Sequence, residues 1–178
     1  MNVSLVESDW LAMALIKTVN GVTPNWGENC YFSETAAIIG AVNMGDDCSI
    51  WFNAVLRADV DTITLGNRVN VQDGGCIHET NGIPVIIGDD VTIGHNVTVH
   101  GAIVHHGALI GMGSTLLDHS EVGEGAIVAA GALVLQGTKI PAYEIWAGVP
   151  AKFVKKAAAG QAETNARHYL DMKEWYTE

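Results

Sequence analysis

From about Ile38 to Ile140 the chain returns an aliphatic residue at intervals of six, often followed by glycine, and this period constrains the fold more than any other feature. The markers are Met44, Ile50, Leu56, then Leu65, Val71, Ile77, then Ile87, Ile93, Val99, Val104, Ile110, Leu116, Val122, Val128, Val134 and Ile140. Two steps are longer, Leu56 to Leu65 and Ile77 to Ile87, and predict loops that bulge outward; the step from Val99 to Val104 is one residue short. Such a hexapeptide repeat is the signature of a parallel β-helix, in which three hexads make one coil and each coil buries its aliphatic column against its neighbours. The small residues Ala108, Ser114, Ser120, Ala126 and Ala132, four places after their markers, suit tight corners. An antiparallel sandwich would give alternation without a six-residue glycine period.

The chain has 178 residues, enough for one domain with a proper core. Its composition is 48% apolar but only 7% aromatic, so that core must be filled by Val, Ile, Leu and Ala. The β-helix is expected over 39–152, after a leader or upstream extension at 1–12 and lead-in strands over 13–38, with Pro24 to Glu28 as a turn. The pattern stops at Pro141, and Trp146 to Lys152 reads as a compact closing segment. Ala162, Ala166, Tyr169 or Leu170, and Lys173 then recur at helical spacing, which predicts a C-terminal helix within 153–178 that caps or flanks the sheet edge. The fold class is all-β, a parallel β-helix with a C-terminal α-helix. The period does not set the hand of the coil; the usual rule for parallel crossovers would make it right-handed.

A net charge of −11, with no basic cluster beyond Lys152, Lys155 and Lys156, argues against nucleic acid or an anionic membrane as partner. The three cysteines, Cys30, Cys48 and Cys76, lack CxxC spacing and read as reduced thiols of a cytoplasmic protein. No apolar run reaches spanning length, and residues 1–12 do not read as a signal peptide.

The period also places the histidines. Markers three steps apart lie on one face of successive coils, about 4.8 Å apart. Leu56, Ile77 and Val99 are so related, and the residues after them, Arg57, His78 and His100, form one column. Ile50, Val71 and Ile93 define a second column, and two residues past the latter pair stand Asp73 and His95. His78 and His100 are therefore close enough to share an ion, while His95 sits around a corner. A cyclic trimer, in which His95 of one chain meets His78 and His100 of the next, would complete three ligands. Three neutral imidazoles and no thiolate suit zinc with a fourth position open to water. Interface histidines bonded to polar partners are the alternative.

At these residues the sequence resembles the γ-class carbonic anhydrases and their close relatives. Arg57-Ala58-Asp59, Asn70-Val71-Gln72-Asp73, His78, Gly94-His95 and Val99-His100-Gly101 occur in that family's order, and Ala147 to Lys152 matches its closing motif. The resemblance covers roughly Val19 to Lys156. It implies a left-handed coil, a homotrimer, and zinc, or iron or cobalt in its place, held by His78 and His100 of one subunit and His95 of the next. It further implies that Gln72 hydrogen-bonds the activated water, that Asn70 helps place carbon dioxide, that Arg57 and Asp73 pair between subunits, that Asp59 supports the site, and that Tyr169 reaches the pocket. The chain departs from the founding members at Val60, where they carry glutamate, and in its short loop from Glu79 to Val85, where they carry a proton-shuttling glutamate. Glu79 is either a replacement shuttle or a solvated loop carboxylate.

The implied reaction is reversible hydration of carbon dioxide to bicarbonate, with low turnover because the shuttle is trimmed. Two rivals remain at this stage. One is an acyltransferase with a histidine base, for which His105, His106 and His119 are spare, although each reads as solvated and His168 as helix surface. The other is a metal-binding or scaffold trimer without the chemistry.

Overall fold

In the computed structural model, which describes residues 14–158, 160–162 and 164–176, short parallel strands stack into three faces of a β-helix of about seven turns. The leader expected at 1–12 lies outside the described residues. One face carries Leu15–Lys17, the first half of Ala37–Met44, the first half of Val55–Leu65, Cys76–His78, Thr98–His100, Thr115–Leu116 and Leu133–Val134, all in parallel register. The second carries Asn25–Trp26, the second halves of the two long strands, Val85–Ile87, Ile103–Val104, Glu121–Val122 and Lys139–Ile140. The third runs from Tyr31–Phe32 through Ser49–Ile50, Asn70–Val71, Thr92–Ile93, Leu109–Ile110 and Ile127–Val128 to Glu144–Ala147.

Every marker from Met44 to Ile140 is buried, and they form one continuous core. This is the arrangement the period demands: a two-residue strand cannot bury its own apolar face, whereas a stacked column removes each marker from water on both sides, worth about 1.5–3 kcal/mol per aliphatic side chain. The expected small corner residues Ala108, Ser114, Ser120, Ala126 and Ala132 are buried as well. Backbone groups are spent on the coils above and below, as when Gly111 N donates to Val128 O at 2.7 Å.

Several boundaries differ from expectation. The solenoid begins at Leu15 rather than at residue 39, since Leu15–Lys17, Asn25–Trp26 and Tyr31–Phe32 form a complete first turn in register with the second. That turn lacks a regular aliphatic column, which hid it. Asn25–Trp26 also falls inside the supposed turn. The nine-residue step from Leu56 to Leu65 is not a loop: Val55–Leu65 is one strand that bends across two faces, paired with Ala37–Met44 through a bulge between Gly40 and Val42. Gly40 is needed there, because a Cβ would lie 2.0 Å from Ala58 O. The second long step does hold a loop, closed by the pairing of Thr80 with Ile83.

The C-terminal segment is part strand and part helix. Lys152–Lys156 pairs antiparallel with Glu144–Ala147 and covers the last edge of the third face. The helix occupies Thr164–Glu174, shorter than 153–178, and flanks the third face: Ala166 and Lys173 are buried, and Tyr169 packs edge-on against Trp51 at 5.3 Å. No helix among the described residues is long and apolar enough to cross a membrane.

Candidate metal centre

The register sets Arg57, His78 and His100 opposite one another on successive coils, in the column expected. Each imidazole is then held by a carboxylate. His100 Nδ1 lies 2.6 Å from Asp118 Oδ1, so Nδ1–H donates and Nε2 keeps its lone pair. His78 Nε2 lies 3.3 Å from Asp59 Oδ1, which turns Nδ1 toward His100. The two free nitrogens, His78 Nδ1 and His100 Nε2, face each other at 3.1 Å. Two ring nitrogens at this separation can share a cation, and two ligands of one tetrahedral zinc stand about 3.3 Å apart for Zn–N bonds near 2.0–2.1 Å. The donor set therefore fits a metal, with carboxylates behind each histidine as orienting groups.

Asp59 takes two hydrogen bonds from Arg57 Nη1, both 2.7 Å, and its carboxyl is held below the usual range by Arg57 first and His78 second. Asp59, His78 and Glu79 together form a possible His/Asp/Glu metal group. Glu79, however, is already committed. It is fully buried, and its Oε1 accepts from Val60 N at 2.7 Å and Asp61 N at 2.8 Å. This corrects the reading of Glu79 as a solvated loop carboxylate: it anchors the long strand at its bend. Its Oε2 is 3.2 Å from His78 Nε2.

Around the corner, on the third face, His95 Nδ1 pairs with Asp73 Oδ2 at 2.8 Å, which turns Nε2 outward. Beside it runs a chain of amides: Asn70 Nδ2 donates to Thr92 Oγ1 at 2.9 Å, and Gln72 Nε2 to Asn70 Oδ1 at 3.1 Å. Asn70 and Gln72 are buried, and with the amides so oriented Gln72 Oε1 is left as an acceptor. A cavity of about 340 Å³ opens here, lined by Gln72, Thr92, His95, Met112, His168 and Tyr169 among others. Burial, then the charge of Asp73, pushes the Tyr169 phenol up and keeps it protonated.

Within one chain the structure thus brings His78 to His100, with Asp59, and His95 to Gln72, Asn70, Asp73 and Tyr169. Arg57 pairs with Asp59 and Asp73 with His95 inside the chain. Sequence reading missed Asp118, Thr92 and the cavity position of His168. Asp118 had a signal: it stands two places past the marker Leu116, as Asp73 and His95 stand past theirs. It reaches His100 over Gly101, where a Cβ would lie 2.4 Å from Asp118 Oδ1. The spare histidines are exposed at the surface; His105 pairs with Glu121 at 2.8 Å, and His119 turns a corner with φ 60°.

Comparison with known proteins bears on this geometry. Residues 84–117 match the family described as "Hexapeptide repeat of succinyl-transferase". The chain is 42% identical to a carbonic anhydrase of Geobacillus kaustophilus over 91% of both chains. It is 39% identical to γ carbonic anhydrase 2, mitochondrial, of Arabidopsis thaliana over 84% of this chain and 57% of that one, and 44% identical to γ carbonic anhydrase 1 over 72% and 49%. It thus spans about half the length of those two plant relatives. Among solved structures, a hexapeptide transferase family protein from Anaplasma phagocytophilum superposes with a TM-score of 0.87 at 34% identity, covering 91% of this chain and 98% of that one. The N-acyltransferase AntD of Bacillus cereus, at 17% identity and a TM-score of 0.71 over 83% and 90%, shares the fold alone. With the imidazole column, the amide chain and these relatives together, the chain belongs to the γ carbonic anhydrase-like family of hexapeptide-repeat proteins, whose carbonic anhydrase members imply a metal cofactor.

Proposed function

We propose that this protein is a carbonate dehydratase, hydrating carbon dioxide reversibly at sites shared between the subunits of a homotrimer. His78 and His100 of one chain and His95 of its neighbour would hold zinc, with iron or cobalt as substitutes. The observation that carries the reading is the pair of carboxylate-fixed imidazoles whose free nitrogens converge at 3.1 Å. When bound, the ion supplies a Lewis acid that lets water ionise near pH 7, the behaviour known for zinc carbonic anhydrases.

The chain's residues supply the rest. Asp118 and Asp59 orient His100 and His78, and Asp73 orients His95, so that one ring nitrogen of each is presented to the ion. Gln72 offers an oriented acceptor to the reacting water, and Asn70, locked by Thr92, helps place carbon dioxide in the cavity. Arg57 is exposed enough to exchange its own Asp59 for the neighbour's Asp73. With Glu79 sealed under the Val60–Asp61 backbone, it does not carry the proton outward. The proton must leave to solvent buffer, and turnover is expected to be low and to rise with buffer concentration. The thiol chemistry of the chain suits the reducing cytoplasm.

Stopped-flow hydration by metal-loaded protein, prepared with and without oxygen and paired with elemental analysis and sedimentation, tests the reading. The expected result is a trimer with one metal per chain and a buffer-dependent rate. Stoichiometric metal with no rate above buffer would sink the enzyme and leave the scaffold, and a folded trimer without metal would favour acyl transfer. Gln72→Ala separates enzyme from scaffold: a rate loss of about 10-fold or more with unchanged metal content is expected, where a scaffold loses nothing.

A further inference from the structure

Cys30 and Cys48 occupy one corner of the first two coils, each directly before a strand of the third face, and the register pairs Tyr31 with Ser49. Their Cα atoms are therefore neighbours across a parallel ladder, about 4.8 Å apart, inside the roughly 4.4–6.8 Å that disulfides span. Later coils fill this column with Val69, Val91, Ala108 and Ala126, all buried, so packing alone asks only for a small apolar group. Cys30 Sγ donates to Gly45 O at 3.3 Å and Cys48 Sγ to Gly66 O at 3.1 Å. Cys48 is sealed in the core, while Cys30 is half-buried and lines a cavity of about 470 Å³ with Asn29, Asp47, Lys173 and Glu174.

Lys173 adds a second observation. It is the buried lysine of the C-terminal helix, and its Nζ donates to Asn29 O and Asp47 Oδ1, both at 2.8 Å. Those are the residues immediately before the two cysteines. One ammonium thus ties together the same two coils that a Cys30–Cys48 bond would join, and it sits beside a reachable thiol. A thiol next to a fixed cation is the setting in which thiolates form near neutrality. The neighbouring Cys48 thiol, then the Cys48 backbone amide and last Lys173, hold Cys30 down to about 7, against burial and Asp47.

We propose that Cys30 and Cys48 form a dithiol site that hydroperoxides convert reversibly to an intrachain disulfide, with Cys30 as the attacking thiol and Cys48 as the resolving one. Cys30 thiolate attacks the distal peroxide oxygen; the O–O bond breaks, the alkoxide or hydroxide leaves with a proton from water, and sulfur gives up two electrons to become a sulfenic acid. Cys48 then attacks that sulfur, the S–O bond breaks, and water departs with the Cys48 proton. The balance is two thiols and one hydroperoxide to one disulfide, one alcohol or water, and one water. The Cys30 partner, then burial, push the Cys48 thiol up; conversion of Cys30 to the neutral sulfenic acid removes the first of these.

The experiment uses the full chain carrying Cys76→Ser, reduced and then treated with one equivalent of hydrogen peroxide. The expected result is loss of both remaining free thiols, loss of two hydrogens in the intact mass, a Cys30–Cys48 linked peptide, and full reversal by dithiothreitol. Adding Cys48→Ser should trap a dimedone-reactive Cys30, and Lys173→Met should slow iodoacetamide labelling of Cys30 severalfold at pH 7. Two thiols surviving peroxide, a Cys30 linked between chains, or Cys30 over-oxidised beside a free Cys48 would overturn the proposal. Peptide mapping of the unmutated protein asks the same question without any variant that must fold.

Discussion

Between Val104 and Ile140 every marker follows its predecessor by six residues, whereas between Leu56 and Val104 the steps run nine, six, six, ten, six, six and five. The two stretches share one core and one hydrogen-bonding scheme, yet His78, His95 and His100 and nearly all their partners lie in the irregular one. The contrast teaches how a solenoid acquires chemistry. A regular coil satisfies its backbone against the coils on either side and buries small residues at its corners. The three departures from six each bring a side chain to the histidine pair. The nine-residue step carries Arg57 and Asp59 through a bent strand, the ten-residue step drives Glu79 beneath that bend, and the five-residue step ends His100 at Gly101, the gap through which Asp118 reaches it.

The sharpest way to break this division is to cut each stretch once. His100→Ala, in the irregular coils, should lower hydration by more than about 100-fold and abolish stoichiometric metal, since even outer partners of a metal ligand cost about 10–100-fold. The chelator-stripped variant should melt close to the stripped parent. Leu116→Ala, at a fully buried marker where the regular coils begin, should instead cost about 2–5 kcal/mol of stability in denaturant unfolding while the folded fraction keeps its metal. A His100→Ala variant that unfolds as readily as Leu116→Ala would show that the irregular coils are scaffold too.

Asp118→Asn tests the seam between the stretches. The amide can accept from or donate to His100, so the tautomer is no longer fixed, and metal competition assays should read about 10–100-fold weaker affinity with the fold intact. Unchanged affinity would return Asp118 to the regular scaffold.

The smallest effect is expected at the corner ion pair. Arg68 Nε and Nη2 each meet an oxygen of Asp90 at 2.7 Å, and these bonds, ahead of any other influence, hold the Asp90 carboxyl below its ordinary 3.8. A depressed carboxyl stabilises the fold above its unfolded value and loses that contribution as pH falls through its folded value. Arg68 is more than a third exposed, so solvent screens the pair. Arg68→Ala should therefore cost no more than about 1 kcal/mol at pH 7. The difference from the parent should close below about pH 4, as read by urea unfolding at both pH values.

Much of this was legible beforehand, for reasons particular residues make plain. The marker list names the core because each marker repeats a covalent spacing, and that spacing placed His78 under His100 and His95 beside Asp73. The first coil was not read, because two of its core positions, Trp26 and Phe32, are aromatic rather than aliphatic, although they keep the six-residue step to Ile38; the pairing of Ile16, Trp26 and Phe32 with Ile38, Met44 and Ile50 reveals them. Residues 153–156 fell inside the segment expected to hold the helix, yet an uncovered sheet edge was available and took Lys152–Lys156 as a strand. Glu79 looked like a loop residue from its neighbours in sequence. Its partners, Val60 and Asp61, stand 19 and 18 residues away, and two waiting backbone amides outweighed its affinity for water.

The sequence by itself determined that the chain coils, which residues form its core and which side chains share a column, because a fixed number of residues per turn converts spacing into register. Its period is silent on hand, and the left-handed assignment comes with the family. The tertiary structure alone decided which nitrogen of each imidazole is free, that Glu79 is sealed, that Asp118 stands behind His100, and that Lys173 clamps the coils of Cys30 and Cys48. Those outcomes turn on contacts of about 3 Å between segments many residues apart, where hydrogen-bond direction and burial, rather than spacing, set the energy.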